Sequence, residues 1–454
     1  MSKKSVITQL IVLAVLLSLF VAPASAAKPK LSFSNIPLTV PEGDSEPAIA
    51  IAGNGTMAVT GLQWLFDPSY FGTHLWTGSF GSTPTFQGLL DADLQQSGKQ
   101  VFGSADADVD IGSTGTLHAT SLIVLVNPAF TRAQLGVSAI TCPNATSSSF
   151  TLNNCTKQII DTAGADRQWI TSEGKHVYIS YHDSGNSTLI HVQRSDDDGY
   201  TWKSVGDPIV GQDGGTGDAT FNNTQGPLVA DPVTRNVYDI YAAGEPGIQK
   251  GTTATFNNIY VSRSTDMGKS WTASLVYHAP LFTALNNVFP SLAVDPTNGN
   301  LYATWSDGHS IYFSTSSDQG ASWSTAVTVN IYPANTAIFP WIAAYNGTVD
   351  LVYYGTKSAS KDDSSAVWNV YMAQTTDQGG SFTQSLVNKT PNHIGVICTS
   401  GTACKPGTRN LLDLFEVAID PQNGLAGIIY VDDTITTTDS GDPLPQIILA
   451  QQNK

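Results

Sequence analysis

The stretch "NIYVSRSTDMGKSWTASLVYH", residues 258–278, decides the fold of this chain. Two runs rich in β-branched and aromatic residues, typical of strands, flank a Ser-x-Asp-x-Gly-x-x-Trp unit. The same unit occurs at 195–202 and 316–323, and a variant ending in Phe occurs at 375–382. Most copies follow a strand–turn–strand segment such as "FPSLAVDPTNGNLYATWSDG", 289–308. The repetition indicates that one structural unit has been copied along the chain.

The strand–turn–strand segment can be followed through seven copies, which begin at residues 46, 106, 166, 225, 289, 339 and 414. Two strands, a third strand, the Ser-x-Asp unit and a fourth strand form one antiparallel sheet. A single four-stranded sheet cannot bury both faces, but sheets stacked radially around an axis can. The sequence therefore predicts an all-β chain that forms a β-propeller. We expect seven four-stranded blades, with six as the alternative, in a single domain spanning residues 27–454.

The ends of the chain predict how the ring closes. In the seventh copy "QIILAQ", 446–451, is a third strand, and no fourth strand follows it. The segment "LSFSNIPLTV", 31–40, is a strand without a blade of its own. Because an unpaired sheet edge is a pairing hazard, we expect residues 31–40 to pair with 446–451 and complete the last blade.

The carboxylates of the repeated unit are predicted to be structural. The Asp can accept hydrogen bonds from the backbone of its turn, the Gly can adopt a positive φ, and the Trp or Phe can pack between neighbouring sheets. The residues concerned are Asp197, Asp266, Asp318 and Asp377.

Composition restricts the class of partner. The net charge is −16, only 13% of residues are charged, and six of the cations are arginines. This balance argues against nucleic acid or an anionic membrane as a partner.

The N-terminus and the cysteines indicate export. Residues 1–26 combine Lys3 and Lys4, an apolar run and an Ala24-Ser25-Ala26 cleavage site, which is typical of a secretory signal peptide. An uncleaved N-terminal anchor is the alternative. No second long apolar run follows, so we expect a secreted or cell-surface protein, a monomer, with no transmembrane segment after cleavage. In that compartment four cysteines favour disulfides. We expect local pairs, Cys142 with Cys155 and Cys398 with Cys404.

The repeated unit resembles the Asp box, or BNR repeat, of the sialidase superfamily. Three full copies and one variant carry the resemblance, which covers essentially the whole mature chain and implies an exported microbial sialidase-like propeller. Sialidases of the family grip the substrate carboxylate with three arginines, the first in an Arg-Ile-Pro motif, whereas "SNIP" here has Asn35 at that place. Only Arg167 and Arg409 fall where blade-connecting loops meet the axial opening. The sialidase catalytic residues are therefore not carried over.

The axial face nevertheless collects polar residues, because the starts of first strands and the ends of second strands meet there. Carboxylates, an imidazole and aromatics suit a polyhydroxylated ligand, although such acidic residues can also be solvated or cap turns. Our candidates for catalysis are Asp166, Arg167 and Glu416. Our candidates for ligand binding are Glu46, Asp106, Asp108, His182, Asp183, Glu245, Asp307, Trp341, Arg409, Asp413 and Asp432.

Three functions are compatible with these residues. The favoured one is a glycan- or glycoprotein-interacting propeller with incomplete sialidase machinery. The others are an active glycoside hydrolase of sialidase type, which needs two cooperating carboxyl groups, and a non-catalytic structural or protein-binding envelope component. Whether the chain is an enzyme stays open.

No cofactor is expected, with calcium as the alternative. Asp106, Asp108 and Asp110 have the spacing of a calcium loop, but Ile111 and Leu117 replace its Gly and Glu. Alternation along a strand explains the spacing equally well.

Overall fold

The computed structural model describes residues 30–64, 71–129, 131–147, 150–183, 189–209, 223–244, 256–285 and 288–454. Within these residues the strands form seven antiparallel sheets arranged as the blades of a propeller. The predicted seven-bladed β-propeller is therefore confirmed. The predicted signal peptide and the site candidate Glu245 lie outside the described residues.

The first four blades follow the chain in order. Blade one contains β2 (Asp44–Ile51), β3 (Thr56–Gln63), β4 (Thr73–Ser79) and β5 (Thr85–Leu89). Blade two contains β6 (Gln100–Ile111), β7 (Leu117–Val126), β8 (Ala133–Cys142) and β9 (Thr156–Asp161). Blade three contains β10 (Ala165–Glu173), β11 (His176–Asp183), β12 (Ile190–Ser195) and β13 (Lys203–Ser204). Blade four contains β14 (Asn223–Ala230), β15 (Val237–Ala243), β16 (Asn258–Ser264) and β17 (Thr272–His278).

The remaining blades include the closure of the ring. Blade five contains β18 (Ser291–Val294), β19 (Leu301–Ser306), β20 (Ile311–Ser316) and β21 (Val327–Thr328). Blade six contains β22 (Thr336–Tyr345), β23 (Thr348–Thr356), β24 (Val367–Thr375) and β25 (Thr383–Leu386), and β26 (His393–Ile394) also pairs with β24. Blade seven contains β27 (Glu416–Ile419), β28 (Ala426–Asp432), β29 (Gln446–Gln452) and the N-terminal β1 (Phe33–Leu38). Single 3₁₀ turns lie at Leu152–Asn154 and Gly401–Ala403. No helix in the described ranges is long and apolar enough to cross a membrane.

The last blade closes as predicted. β1 pairs antiparallel with β29, and Phe33 lies opposite Gln452 while Leu38 lies opposite Ile447. The Oγ of Ser34 also donates to Oδ1 of Asn453 at 2.8 Å. The first and last strands of the described residues therefore meet in one sheet.

The repeated Ser-x-Asp units form hairpins between the third and fourth strands of blades three to six. In the copy on β16 and β17, Oδ1 of Asp266 accepts from the Oγ of Ser264 at 2.9 Å and from the backbone N of Ser270 at 2.9 Å. These hydrogen bonds, with that of the Ser270 hydroxyl first, lower the pKa of Asp266 to about 2. Gly268 has φ +82°. Asp197, Asp318 and Asp377 each accept the equivalent bonds from their own turns.

The aromatic residue that ends each unit packs between blades. Trp271 donates its indole N–H to the carbonyl of Gly268 at 3.0 Å and packs with Tyr178 and Val192 of blade three. Phe382 of blade six meets Phe313 of blade five with ring centroids 5.3 Å apart. Burial of such large apolar surfaces is the main force that holds neighbouring sheets together.

Irregular first strands aim side chains at the axial opening. The register of β2, β6 and β10 shifts near Glu46, Asp106 and Arg167. Each of these three residues has a positive φ, of 44°, 30° and 49° respectively. Positive φ is uncommon for such residues, and bulges are a common device for redirecting a side chain next to a site. The same shift occurs in β14 and β22, so the bulge is a shared feature of first strands at this end of the axis.

Candidate functional site

The bulges bring together a group of charged residues that we call the mouth cluster: Glu46, Asp106, Asp166, Arg167, Arg409 and Asp413. At its centre, Nη1 of Arg167 lies 3.4 Å from Oε2 of Glu46 and 3.3 Å from Oδ1 of Asp106. The guanidinium carbon lies 4.5 Å from the ring centroid of Trp169 and 4.9 Å from that of Phe289. Arg167 is only 6% exposed. Its charge is thus held by carboxylates on one side and by aromatic rings on another.

The second arginine arrives on the long connection between blades six and seven. Arg409 donates from Nε to Oδ1 of Asp413 at 3.0 Å and from Nη2 to Oδ2 of the same residue. The backbone N of Asp413 donates to Oε1 of Glu46 at 3.1 Å. This contact joins the connection to blade one and to the ion pairs of Arg167.

That connection is tied down at several points. Its Cys398–Cys404 disulfide and the Cys142–Cys155 disulfide of blade two both form, which confirms the two predicted local pairs. Asp433 accepts from Nδ2 of Asn410 at 2.9 Å and lies 2.9 Å from Nδ1 of His393. Arg409 and Asp413 are therefore presented by a constrained segment.

The carboxyl groups of the mouth cluster differ in their affinity for protons. Burial, reinforced by the charge of Asp106, raises the pKa of Glu46 well above its usual range, against the attraction of Arg167. Asp166 keeps a solvent-exposed edge, yet partial burial and the charge of Asp106 raise its pKa to about 6. A carboxyl group that keeps its proton to a higher pH than usual is what general acid catalysis requires.

Glu416 and Asp108 lie in the axial channel, which the first strands enclose as a cavity of about 420 Å³. Oε2 of Glu416 accepts the backbone N–H of Ile49 at 2.9 Å. The carboxylate of Asp108 accepts those of Val109 and Ile170, each at 2.8 Å. Burial raises the pKa of Glu416 well above its usual range and that of Asp108 to about 7. Both carboxyl groups thus bridge neighbouring blades, and we place them outside the mouth cluster.

Three more candidates lie outside the cluster. His182 stands opposite Asp166 in the β10–β11 ladder, and burial lowers its pKa. Trp169 and Phe289, the two rings against Arg167, form what we call the aromatic floor. Trp341 packs against Trp169 with ring centroids 5.1 Å apart and so supports this floor. Asp183 pairs with His191 at 3.3 Å.

Asp307 and Asp432 have local roles. Asp307 accepts from the backbone N of Ser310 at 2.7 Å and from the hydroxyl of Tyr312 at 2.9 Å. Asp432 accepts from the backbone N and the hydroxyl of Thr434, both at 2.8 Å. These contacts match the alternative in which such acidic residues cap turns.

The aromatic floor was missed by the sequence analysis. Trp169 follows Arg167 by two residues, and the bulge at Arg167 brings its guanidinium over the Trp169 ring. Phe289 occupies the position in the fifth copy that corresponds to Glu46 in the first. An alignment of the seven copies could therefore have indicated that Trp169 and Phe289 lie near Arg167.

The acidic stretch 106–112 behaves as a strand. The side chain of Asp108 accepts from β10, and Ser172 donates from its Oγ to Oδ2 of Asp110 at 2.5 Å. Alternation along β6 accounts for the spacing of the three Asp residues. In the described part of the chain no three His, Cys, Asp or Glu side chains are grouped so as to hold a metal ion.

All six arginines lie in described residues, and only Arg167 and Arg409 belong to the mouth cluster. Arg194 and Arg263 donate instead to the carbonyls of Met267 and Gln319, at the opposite face. Arg132 and Arg235 are exposed away from the cluster. A triad of arginines is thus not assembled around the axial opening.

Proteins similar to this chain are found among solved structures. No protein-family model and no curated protein matches the chain. Among solved structures, the endosialidase of phage phi92 is 9% identical and has a TM-score of 0.48, with 93% of this chain and 69% of that chain covered. A leech intramolecular trans-sialidase is 12% identical with a TM-score of 0.45, covering 91% and 68%.

An α-L-arabinofuranosidase of Fusarium graminearum is also similar, at 14% identity and a TM-score of 0.47, with 79% of this chain and 97% of that chain covered. An endosialidase, a trans-sialidase and an arabinofuranosidase are thus among the structures to which the chain is similar. At these identities and TM-scores the likeness concerns the fold, and no residue role is taken from it.

Proposed function

We propose that this chain is an exported carbohydrate-binding and carbohydrate-processing propeller whose ligand is held at the mouth cluster. The observation that carries the proposal is the buried Arg167, which gathers Glu46 and Asp106 at three backbone bulges beside the proton-holding Asp166. Backbone strain at such positions is typical of functional sites. The two disulfides and the predicted signal peptide support export.

The chemistry follows from the protonation states. Asp166 reaches solvent and holds a proton up to about pH 6, so it can donate to a glycosidic oxygen as that bond breaks. Asp106, with its side chain 20% exposed at Arg167, supplies the carboxylate that activates a water molecule or stabilises the cationic sugar. Arg167 is a positioning residue, because it touches the carboxyl groups and is itself buried.

The loops support this end of the axis as the working face. The connection at 387–415, which ends at a first strand, is long, whereas the hairpins between first and second strands at the opposite face are short. Binding and catalytic residues concentrate on loops held by a rigid scaffold. Carboxylates there can accept hydrogen bonds from sugar hydroxyls.

The test is a glycan array together with a fluorogenic glycoside panel at pH 5–7. We expect Asp166→Asn to reduce turnover by roughly 10²–10⁴-fold, the usual contribution of a general acid. Asp307→Asn is the matched control, because that carboxylate lies at a loop of the same face but serves its own turn. Binding without turnover would leave a lectin-like role. Blank arrays and panels for the folded wild-type protein would contradict the proposal and favour a structural envelope component.

A further inference from the structure

We propose that the mouth cluster selects neutral or amino-bearing glycans and rejects glycans that carry a carboxylate. This inference rests on the proposed function and names its substrate class. It starts from one observation, namely that both arginines of the cluster already have carboxylate partners within the protein.

Arg167 offers no edge to an incoming carboxylate. Its Nη1 is directed at Glu46 and Asp106, and its guanidinium lies against the rings of Trp169 and Phe289. Its Nε and Nη2 atoms are buried from solvent and have no hydrogen-bond partner among the described residues. Recognition of a carboxylate by arginine uses two parallel N–H groups on one accessible edge, and this residue does not present such an edge.

Arg409 is engaged in the same way. Nε and Nη2, the donors of one bidentate edge of the guanidinium, both bind Asp413. Asp413 is in turn fixed through its backbone N to Glu46. To bind Arg409, an acidic sugar would have to displace the carboxylate of Asp413, which the chain itself keeps close to Arg409. This displacement lowers the affinity for an acidic sugar, and a neutral sugar does not require it.

The remaining charge has the wrong sign for an acid. Four carboxyl groups and two guanidiniums make up the mouth cluster, and Asp108 and Glu416 add acidic groups in the channel. Carboxyl groups therefore outnumber cations in the cluster. The net charge of −16 on the chain adds long-range repulsion of polyanions. The carboxylates of the mouth cluster can accept hydrogen bonds from the hydroxyl groups and from a protonated amine of a ligand.

The experiment scores a glycan array by charge class and then compares the strongest neutral hit with its uronate and amino analogues by calorimetry. We expect the uronate to bind at least tenfold more weakly than the neutral sugar, and the amine to bind at least as well. We expect Asp413→Asn to recover affinity for the uronate, because it frees the donors of Arg409. Asp307→Asn is the control and should leave the ratio unchanged.

The outcomes separate the two proposals. Preference for sialylated or uronate glycans over neutral ones would overturn the selectivity while leaving the carbohydrate function standing. Absence of binding to every charge class would overturn the proposed function and the selectivity with it. The wild-type ratio is decisive even where Asp413→Asn fails to fold.

Discussion

At the scale of single residues, Arg167 shows how the protein tolerates a buried charge. Two carboxyl groups and two aromatic rings surround its guanidinium, and the strained φ values of Glu46, Asp106 and Arg167 are retained where these contacts converge. Removal of one partner from a buried ion pair leaves uncompensated charge, which costs more than the pair contributes.

We therefore expect Arg167→Leu to lower the free energy of unfolding by about 3–5 kcal/mol at neutral pH, the usual cost of breaking a buried pair. The loss should shrink as the pH falls towards 5, because Asp166 beside Arg167 then becomes neutral. Urea denaturation at pH 5 and pH 7.5 measures the loss of unfolding free energy and its dependence on pH. Exposed Arg132→Leu is the control, and equal losses for the two variants would contradict the role assigned to Arg167.

Asp266 provides a contrasting case at the opposite face. Asp266→Ala removes an acceptor from several donors of one turn, so we expect about 1–3 kcal/mol of lost stability. Affinity for any glycan should be unchanged, which calorimetry on the folded variant would show. Loss of ligand affinity at unchanged stability would refute the structural interpretation of the Asp boxes.

Residue roles at the axial face could be predicted from sequence only in part. Alignment of the copies placed Asp166, Arg167, Arg409 and Asp413 at one opening, where the structure also has them. It could not distinguish them from Asp307 and Asp432, which cap turns. That distinction depends on the bulges and on long-range contacts, which no local pattern in a single sequence reports.

At the scale of elements, the sequence predicted the pairing of the N-terminal strand, although its partner lies at the other end of the chain. A third strand without a successor and a strand without a blade allowed only one simple pairing, and β1 pairs with β29 accordingly. The additional strand β26 was not predicted, because its two residues are too few to show a period.

Deletion of residues 27–41 should therefore destabilise the whole domain. Without β1, the buried Ile448 and Ala450 of β29 lose a covering strand, and the edge of blade seven is left open. Differential scanning calorimetry should show a lower melting temperature for the complete transition. A synthetic peptide of residues 31–40 should restore part of the loss, whereas a scrambled peptide should not. An unchanged transition after the deletion would contradict the closure.

At the scale of the whole molecule, buried carboxyl groups decide how stability depends on pH. Burial raises the pKa of Asp44 and Asp432 to about 6 and that of Asp108 and Asp350 to about 7. These groups bind protons more tightly in the folded state, so their contribution to stability is present in acid and is lost as the pH rises through about 4–7. The Asp boxes act in the opposite sense, since the lowered pKa of Asp266 makes stability fall as the pH drops towards about 2.

We accordingly expect the melting temperature to be highest at about pH 4–5, below the range usual for proteins. Thermal scans from pH 3 to pH 8 test this. Asp350→Asn should flatten the decline between pH 5 and pH 7, because this buried group titrates there and its Gln374 partner can bind the amide. A maximum at pH 7 or above would contradict the expectation.

The meeting of the two chain ends in blade seven has a mechanical consequence. Phe33 and Gln452 face each other at the same end of an antiparallel pair, and the backbone N of Asn453 donates to the carbonyl of Ser32 at 2.9 Å. A pulling force applied to both ends loads this pair at that end. The β1–β29 hydrogen bonds would then break one after another, as in unzipping, and would not share the load as in shear. We therefore expect the β1–β29 pair to open before the other blades when the chain is pulled at residues 33 and 452.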